Sequence, residues 1–175
     1  MKNYYLTSES VTEGHPDKIC DKISDYILDE ALKQDKNSKM AVEATIKDDL
    51  ILIYGEATTN AKLNYEQLAK QVLKEIGYTE EYNVLVKVNK QSIEINNAVN
   101  KDKIMAGDQG IMFGYATNET KEYMPLTILL ANKLAKRLTD VRKQAKDSIL
   151  RSDGKTQVTI EYENDLPKRV DTIII

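Results

Sequence analysis

The residues best suited to chemistry lie in one short stretch, Thr12-Glu13-Gly14-His15-Pro16-Asp17-Lys18-Ile19-Cys20-Asp21, which holds the only histidine of the chain. Behind it, Ile19, Ile23, Ile27 and Ala31 recur every fourth residue, with Leu28 and Leu32 on the same flank, and predict an amphipathic helix. Pro16 suits the first helical position, where its missing N–H and fixed φ cost nothing. The stretch therefore reads as a glycine-hinged turn that delivers His15, Asp17 and Lys18 to an open helix N-terminus. Such an end carries unpaired N–H groups and the positive pole of the helix, a seat for phosphate. Asp17 could hold Mg²⁺, which takes carboxylate and phosphate oxygens together. The same pattern also reads as a capped helix with a solvated charge cluster. Spacing alone leaves both readings open.

The elements that must position these groups follow from periodicity. Tyr4 to Ser10 is a short lead-in compatible with a strand. Met40 to Ile46 and Leu50 to Ala57 alternate around Asp48-Asp49 and predict a hairpin. With a two-residue loop, Glu43 opposes Tyr54 and Glu56 opposes Ala41. Both glutamates then share one face, and Val42, Ala44, Ile46, Ile51 and Ile53 share the other. Tyr65 to Ile76 predicts a second helix, with Leu68, Val72, Leu73 and Ile76 inward, Asn64 as N-cap and Gly77 closing it. A strand is expected over Asn83 to Val88. Gln91 to Ala106 is polar and aperiodic, a candidate mobile loop, and Gly107 to Thr120 is punctuated by glycines. Leu126 to Ala145 predicts a third helix facing inward through Leu129, Leu130, Leu134 and Leu138. Strands over Gln157 to Tyr162 and Arg169 to Ile175 flank a turn near Asn164-Asp165. Strands and helices without strict alternation predict an α+β fold, with mixed or antiparallel sheets covered by helices. The apolar end Thr172-Ile173-Ile174-Ile175 reads as a chain that stops within a domain.

Bulk properties narrow the function classes. The net charge of −3 and the scattered basic residues leave no footprint for nucleic acid or an anionic membrane. No apolar run approaches membrane-spanning length, and Met1 to Leu6 is too short and polar for a secretory signal. Cys20, the single cysteine, excludes an internal disulfide and suits a reducing compartment, so a cytoplasmic protein is expected. There is neither a G-x-x-x-x-G-K-[ST] nor a G-x-G-x-x-G pattern, and one His with one Cys excludes most zinc sites.

Two long motifs go further. Thr7-Ser8-Glu9-Ser10-Val11-Thr12-Glu13-Gly14-His15-Pro16-Asp17-Lys18 and Gly107-Asp108-Gln109-Gly110-Ile111-Met112-Phe113-Gly114-Tyr115-Ala116-Thr117-Asn118-Glu119-Thr120 resemble those of the S-adenosylmethionine synthetases, or methionine adenosyltransferases. Gly55-Glu56-Ala57-Thr58-Thr59, Glu75-Ile76-Gly77-Tyr78, Lys90-Gln91-Ser92 and Asp153 to Thr159 support the resemblance, which runs in order along the whole chain.

The resemblance implies a reaction in which methionine sulfur attacks C5′ of ATP and triphosphate leaves, to be cleaved to pyrophosphate and phosphate. It implies His15 as the catalytic histidine beside the leaving oxygen, and Lys18, Asp153, Gly154 and Lys155 as further ATP contacts. Glu56, Gln91 and Asp108 would contact methionine, Asp17 would bind Mg²⁺ and Glu43 K⁺. The implied fold has three similar α+β units in pseudo-threefold arrangement. Residues 1–12 and 119–175 would form part of the N-terminal unit and 13–90 the central unit. Residues 91–106 would form a gating loop, a few residues shorter than expected, and 107–118 a piece of the C-terminal unit. The implied partners are ATP and L-methionine, a homodimer or tetramer paired through sheet faces, or a missing C-terminal half.

The family is about twice this length, and the remainder would carry a second acidic metal ligand and the basic loops that grip triphosphate. Two expectations from different classes therefore stand: part of a synthetase whose activity belongs to the complete enzyme, or a catalytically incompetent ligand-binding or subunit-pairing module. A third is a split enzyme completed by a separate chain.

Overall fold

The computed structural model of the chain describes residues 3–90, 110–145 and 148–175. Its elements are β1 (Asn3–Val11), α1 (Pro16–Gln34), β2 (Lys39–Lys47), β3 (Leu50–Thr58), α2 (Tyr65–Ile76), β4 (Asn83–Asn89), α3 (Leu126–Gln144), β5 (Lys155–Glu163) and β6 (Leu166–Ile174). Two three-stranded sheets, ordered β1-β5-β6 and β2-β3-β4, with helices against them, give the expected α+β class. The chain divides into two compact units, residues 1–18 with 114–175 and residues 19–113. The first division falls after Lys18 rather than after residue 12, and the second after Phe113 rather than after residue 118.

Helix α1 starts at Pro16 as expected, and in the unit of residues 19–113 it buries Ile19, Ile23, Ile27 and Ala31. Leu28 and Leu32 do not join them and are exposed, because a four-residue spacing fills one narrow stripe and leaves its flank outside. The β2–β3 hairpin has a two-residue loop with Asp48 in the left-handed region (φ 52°). Its register pairs Glu43 with Tyr54 and Ala41 with Glu56, as expected. Val42, Ile51 and Ile53 turn into the core against α1 and against Ala69, Val72, Leu73 and Ile76 of α2. Asn64 caps α2 by accepting the Gln67 N–H (3.1 Å). Gly77 closes it at φ 107°, its N–H and that of Tyr78 donating back to Lys74 and Leu73. A helix returning between β3 and β4 makes that pair parallel, unlike the other ladders.

In the other unit, β5 lies between β1 and β6 and buries Thr156, Val158, Ile160 and Tyr162 on one face. Asn164 and Asp165 both take positive φ (52° and 64°) in the two-residue turn to β6. Helix α3 covers the buried face differently from the leucine stripe expected. Thr127, Ala131 and Ala135 are its buried residues, with Leu126, Leu130 and Leu134 half-buried beside them. Small residues let the helix backbone approach the sheet closely enough for the Thr156 hydroxyl to donate to the Ala131 carbonyl (2.8 Å). Thr127 accepts the Ser8 hydroxyl (2.8 Å) in the same contact.

The two leucine environments on α1 differ measurably from its isoleucine stripe. Ile27→Ala should lower unfolding stability by about 2–5 kcal/mol in a urea titration, as a fully buried chain leaving a cavity does. Leu28→Ala, at 36% exposure, should change it by less than about 1 kcal/mol. Equal losses would mean that Leu28 belongs to the core.

Candidate active site

His15 sits on a turn tied to the strand that begins at Lys155. The Thr12 N–H donates to the Gly154 carbonyl (2.9 Å), and the buried Thr12 hydroxyl to the Ser152 carbonyl (2.7 Å). Between them Gly14 is so close to Ser152 that an added Cβ would collide with the Ser152 backbone. Gly154 is more loosely constrained, its missing Cβ lying 2.9 Å from a Leu138 methyl and 3.2 Å from that of Thr12, both side-chain atoms. The fold thereby brings together two of the predicted segments, Thr12 to Lys18 and Asp153 to Lys155.

The turn is also clamped electrostatically. Glu13 accepts from Arg142 Nη2 (2.6 Å) and lies 2.7 Å from Lys143 Nζ at the end of α3. With Arg142 at 13% and Glu13 at 22% side-chain exposure, this pair is more than a surface contact. Sequence reasoning missed this clamp because nothing local links residues so distant in the chain.

At the turn's end the Asp17 N–H donates to His15 Nδ1 (3.3 Å). Accepting at Nδ1 puts the imidazole proton on Nε2, so the ring offers one N–H donor on its other side. Asp17 and Lys18 are exposed in the first turn of α1, where the unpaired N–H groups of the helix begin. Lys155 Nζ reaches back to Glu9 Oε2 (3.2 Å) across the β1–β5 ladder. His15, Asp17 and Lys18 thus follow one another on the turn, and Lys155 begins the strand to which the turn is tied.

Glu43 and Glu56 belong to the other unit, on the hairpin face turned away from its core. That face is less polar than expected, for it also carries Leu50, Tyr54 and Leu85, all exposed. Gly55 fixes the position of Glu56. Its φ of 132° is closed to other residues, and a Cβ there would collide with the Ala41 carbonyl oxygen. Gln91 and Asp108, expected at the methionine site, lie outside the described residues, as does the expected loop of residues 91–106.

No three His, Cys, Asp or Glu side chains converge among the described residues. Asp17 therefore fits Mg²⁺ as a single carboxylate completed by phosphate and water oxygens, a common arrangement for that ion. Glu43 presents one exposed carboxylate on the hairpin face. No helix among the described residues is long and apolar enough to cross a membrane.

The glycine-rich motif is anchored at its far end. The Tyr162 hydroxyl donates to Glu119 Oε2 (2.8 Å), and its ring stacks on Tyr4 at 5.1 Å. Burial, reinforced by the Glu119 carboxylate, pushes the Tyr162 phenol well above its ordinary range.

Residues 3–103 match the family model for the S-adenosylmethionine synthetase N-terminal domain, and residues 103–175 match that for its central domain. The chain belongs to the S-adenosylmethionine synthetase family. It is 48% identical over 194 residues to the S-adenosylmethionine synthase of Brachyspira hyodysenteriae, covering all of this chain and 49% of that relative. It is 50% identical to the synthase of Trichormus variabilis, over 99% of this chain and 46% of that protein. With the synthase of Thermosynechococcus vestitus it shares 51% identity over 98% of this chain and 46% of the other. The chain thus spans about half the length of the curated relatives it matches.

Two outcomes follow from this geometry. Gly14→Ala and Gly55→Ala should each lower stability by about 2 kcal/mol or more by urea titration. Gly114→Ala, where a Cβ meets nothing within 4 Å, should stay within about 0.5 kcal/mol; three equal values would remove the close approaches as the cause. Above pH about 10 the unfolded chain loses the Tyr162 proton while the folded protein keeps it, so this phenol's stabilisation fades as pH rises through and beyond that point. Tyr162→Phe should flatten the alkaline fall in stability, and an unchanged slope would exclude the phenol as its source.

Proposed function

We propose that this chain supplies the His15-centred half of a site that makes S-adenosylmethionine from ATP and L-methionine. The observation that carries the reading is the packing of the Thr12 to Lys18 turn onto Ser152 to Lys155, in a chain about 50% identical to S-adenosylmethionine synthases. As methionine sulfur bonds to C5′, the C5′–O bond breaks and its electrons pass to the triphosphate. The Nε2–H of His15 is the donor for that leaving oxygen, and preorganised donors and cations stabilise such developing charge best. Lys18, Asp153, Gly154 and Lys155 complete the ATP contacts in this reading. Mg²⁺, when bound, neutralises triphosphate oxygens, and Asp17 is its protein ligand; Glu43 serves K⁺. Glu56 and Asp108 pair with the methionine ammonium, and Gln91 donates to its carboxylate.

The reading keeps residues 1–12 with 119–175 as one family unit, 13–90 as a second and 107–118 as a piece of a third, with 91–106 gating the site. The exposed Leu50, Tyr54 and Leu85 beside Glu43 favour pairing through that sheet face. A compartment of reduced thiols, the cytoplasm, suits the single cysteine. A second reading is a ligand-binding or subunit-pairing module without turnover, for which the exposed Leu50, Tyr54 and Leu85 offer a surface.

The assay is S-adenosylmethionine and phosphate release from ATP, methionine, Mg²⁺ and K⁺, with the remaining half of a relative supplied in trans. Product is expected, falling at least about a hundredfold on His15→Ala. Product that survives His15→Ala would overturn the catalytic role of His15. Absence of product with both halves folded and associated would establish the module reading instead.

A further inference from the structure

A cleft of about 580 Å³ opens in the unit of residues 19–113, where β3 and β4 run side by side and end together. Ligands of parallel strand–helix–strand units bind beyond the carboxyl ends of the strands, because the loops diverge there and leave a crevice. Ala57 and Val88, both packed on the core, give the cleft an apolar floor, and Tyr65 at the start of α2 forms a wall. The volume lies in the range of small-molecule sites and is far larger than a lone inorganic anion.

Two cations on the rim of the cleft outweigh one acid, which stays ionised but whose oxygens are already engaged. Asp35 is consumed within the protein: its Oδ1 accepts the Asn37 N–H (3.0 Å), and its Oδ2 the N–H (2.8 Å) and Nδ2 (3.1 Å) of Asn60. The two cations on the rim, Lys39 and Lys90, are exposed and have no carboxylate partner among the described residues. The Thr58 hydroxyl, also on the lining, is buried without a hydrogen-bond partner among the described residues. Asn37 and Asn89 add amide donors and acceptors at the rim. None of the described residues assigned above to ATP, methionine or a metal lines this cleft.

We propose that this cleft is a second ligand site, for a small hydroxylated organic phosphate. Lys39 and Lys90 hold the phosphoryl group as point charges. The amides of Asn37 and Asn89 take the hydroxyls, and the body of the ligand rests on Ala57, Val88 and Tyr65.

Isothermal titration of the 175-residue chain with ribose 5-phosphate, inorganic phosphate and ribose tests this. Saturable binding of ribose 5-phosphate with a Kd of about 1 mM or tighter is expected, weaker binding of phosphate and none of ribose. Lys39→Gln with Lys90→Gln should weaken the sugar phosphate at least about tenfold, whereas Lys74→Gln, outside the cleft, leaves it unchanged. Both variants alter exposed side chains, so their urea midpoints should match the parent and binding losses report the site. Absence of saturable binding, or binding indifferent to the lysine pair, overturns the proposal. Equal affinity for phosphate and ribose 5-phosphate overturns the organic ligand. A loss on His15→Ala instead would place the phosphate at the nucleotide site and overturn it as well.

Discussion

Backbone proximity at Gly14 and Ser152 is the constraint on which the candidate active site rests. Neither segment has regular structure of its own at that point, so two hydrogen bonds from Thr12 and the absence of a Cβ at Gly14 set their spacing. A buried backbone donor must be paired, and a closer packing of two chains than a methyl group allows can be met only by glycine. The consequence is chemical. The histidine turn and the segment leading into β5 are packed backbone against backbone, with His15 and Asp153 each next to a residue of that contact.

Around that contact the protein uses charge where shape alone would be loose. Glu13 bridges the turn to Arg142 and Lys143, so the last turn of α3 also fixes the approach to His15. The cations sit where the carbonyl end of a helix favours them, and the partial burial of Arg142 keeps water from competing fully. The Tyr162–Glu119 bond does similar work for the glycine-rich motif, at a site dry enough to hold the phenol protonated. Catalysis by preorganised donors needs such supports, because a donor that must first be oriented stabilises developing charge less.

The two units solve the layer problem with different helix surfaces. Helices α1 and α2 present branched aliphatic stripes to the β2–β3–β4 sheet, and the core fills with isoleucine and valine. Helix α3 approaches its sheet through threonine and alanine, leaving its leucines at the margins. Closer backbone contact there lets hydroxyls bridge helix and sheet, which a leucine interface would prevent. Both domain models of the family match in order and meet at residue 103, whereas the compact units interleave, residues 1–18 grouping with 114–175.

Much of this was legible in the sequence because it is set by neighbours along the chain. Proline at the first helical position, the Asn64 and Gly77 caps, the four-residue isoleucine repeat and the Asp48-Asp49 loop each act within a few residues. Once that loop has two residues, pleating alone places Glu43 and Glu56 on one face. The family itself followed from two long motifs. Tertiary structure alone decided which helix face lies inward on α3, why Gly14 and Gly55 must be glycine, and what Glu13 and Tyr162 hold. It also decided that β4 runs parallel to β3, and so where the cleft bearing Lys39 and Lys90 opens. Each of these depends on a distance between residues far apart in the chain, and periodicity carries no information about such distances.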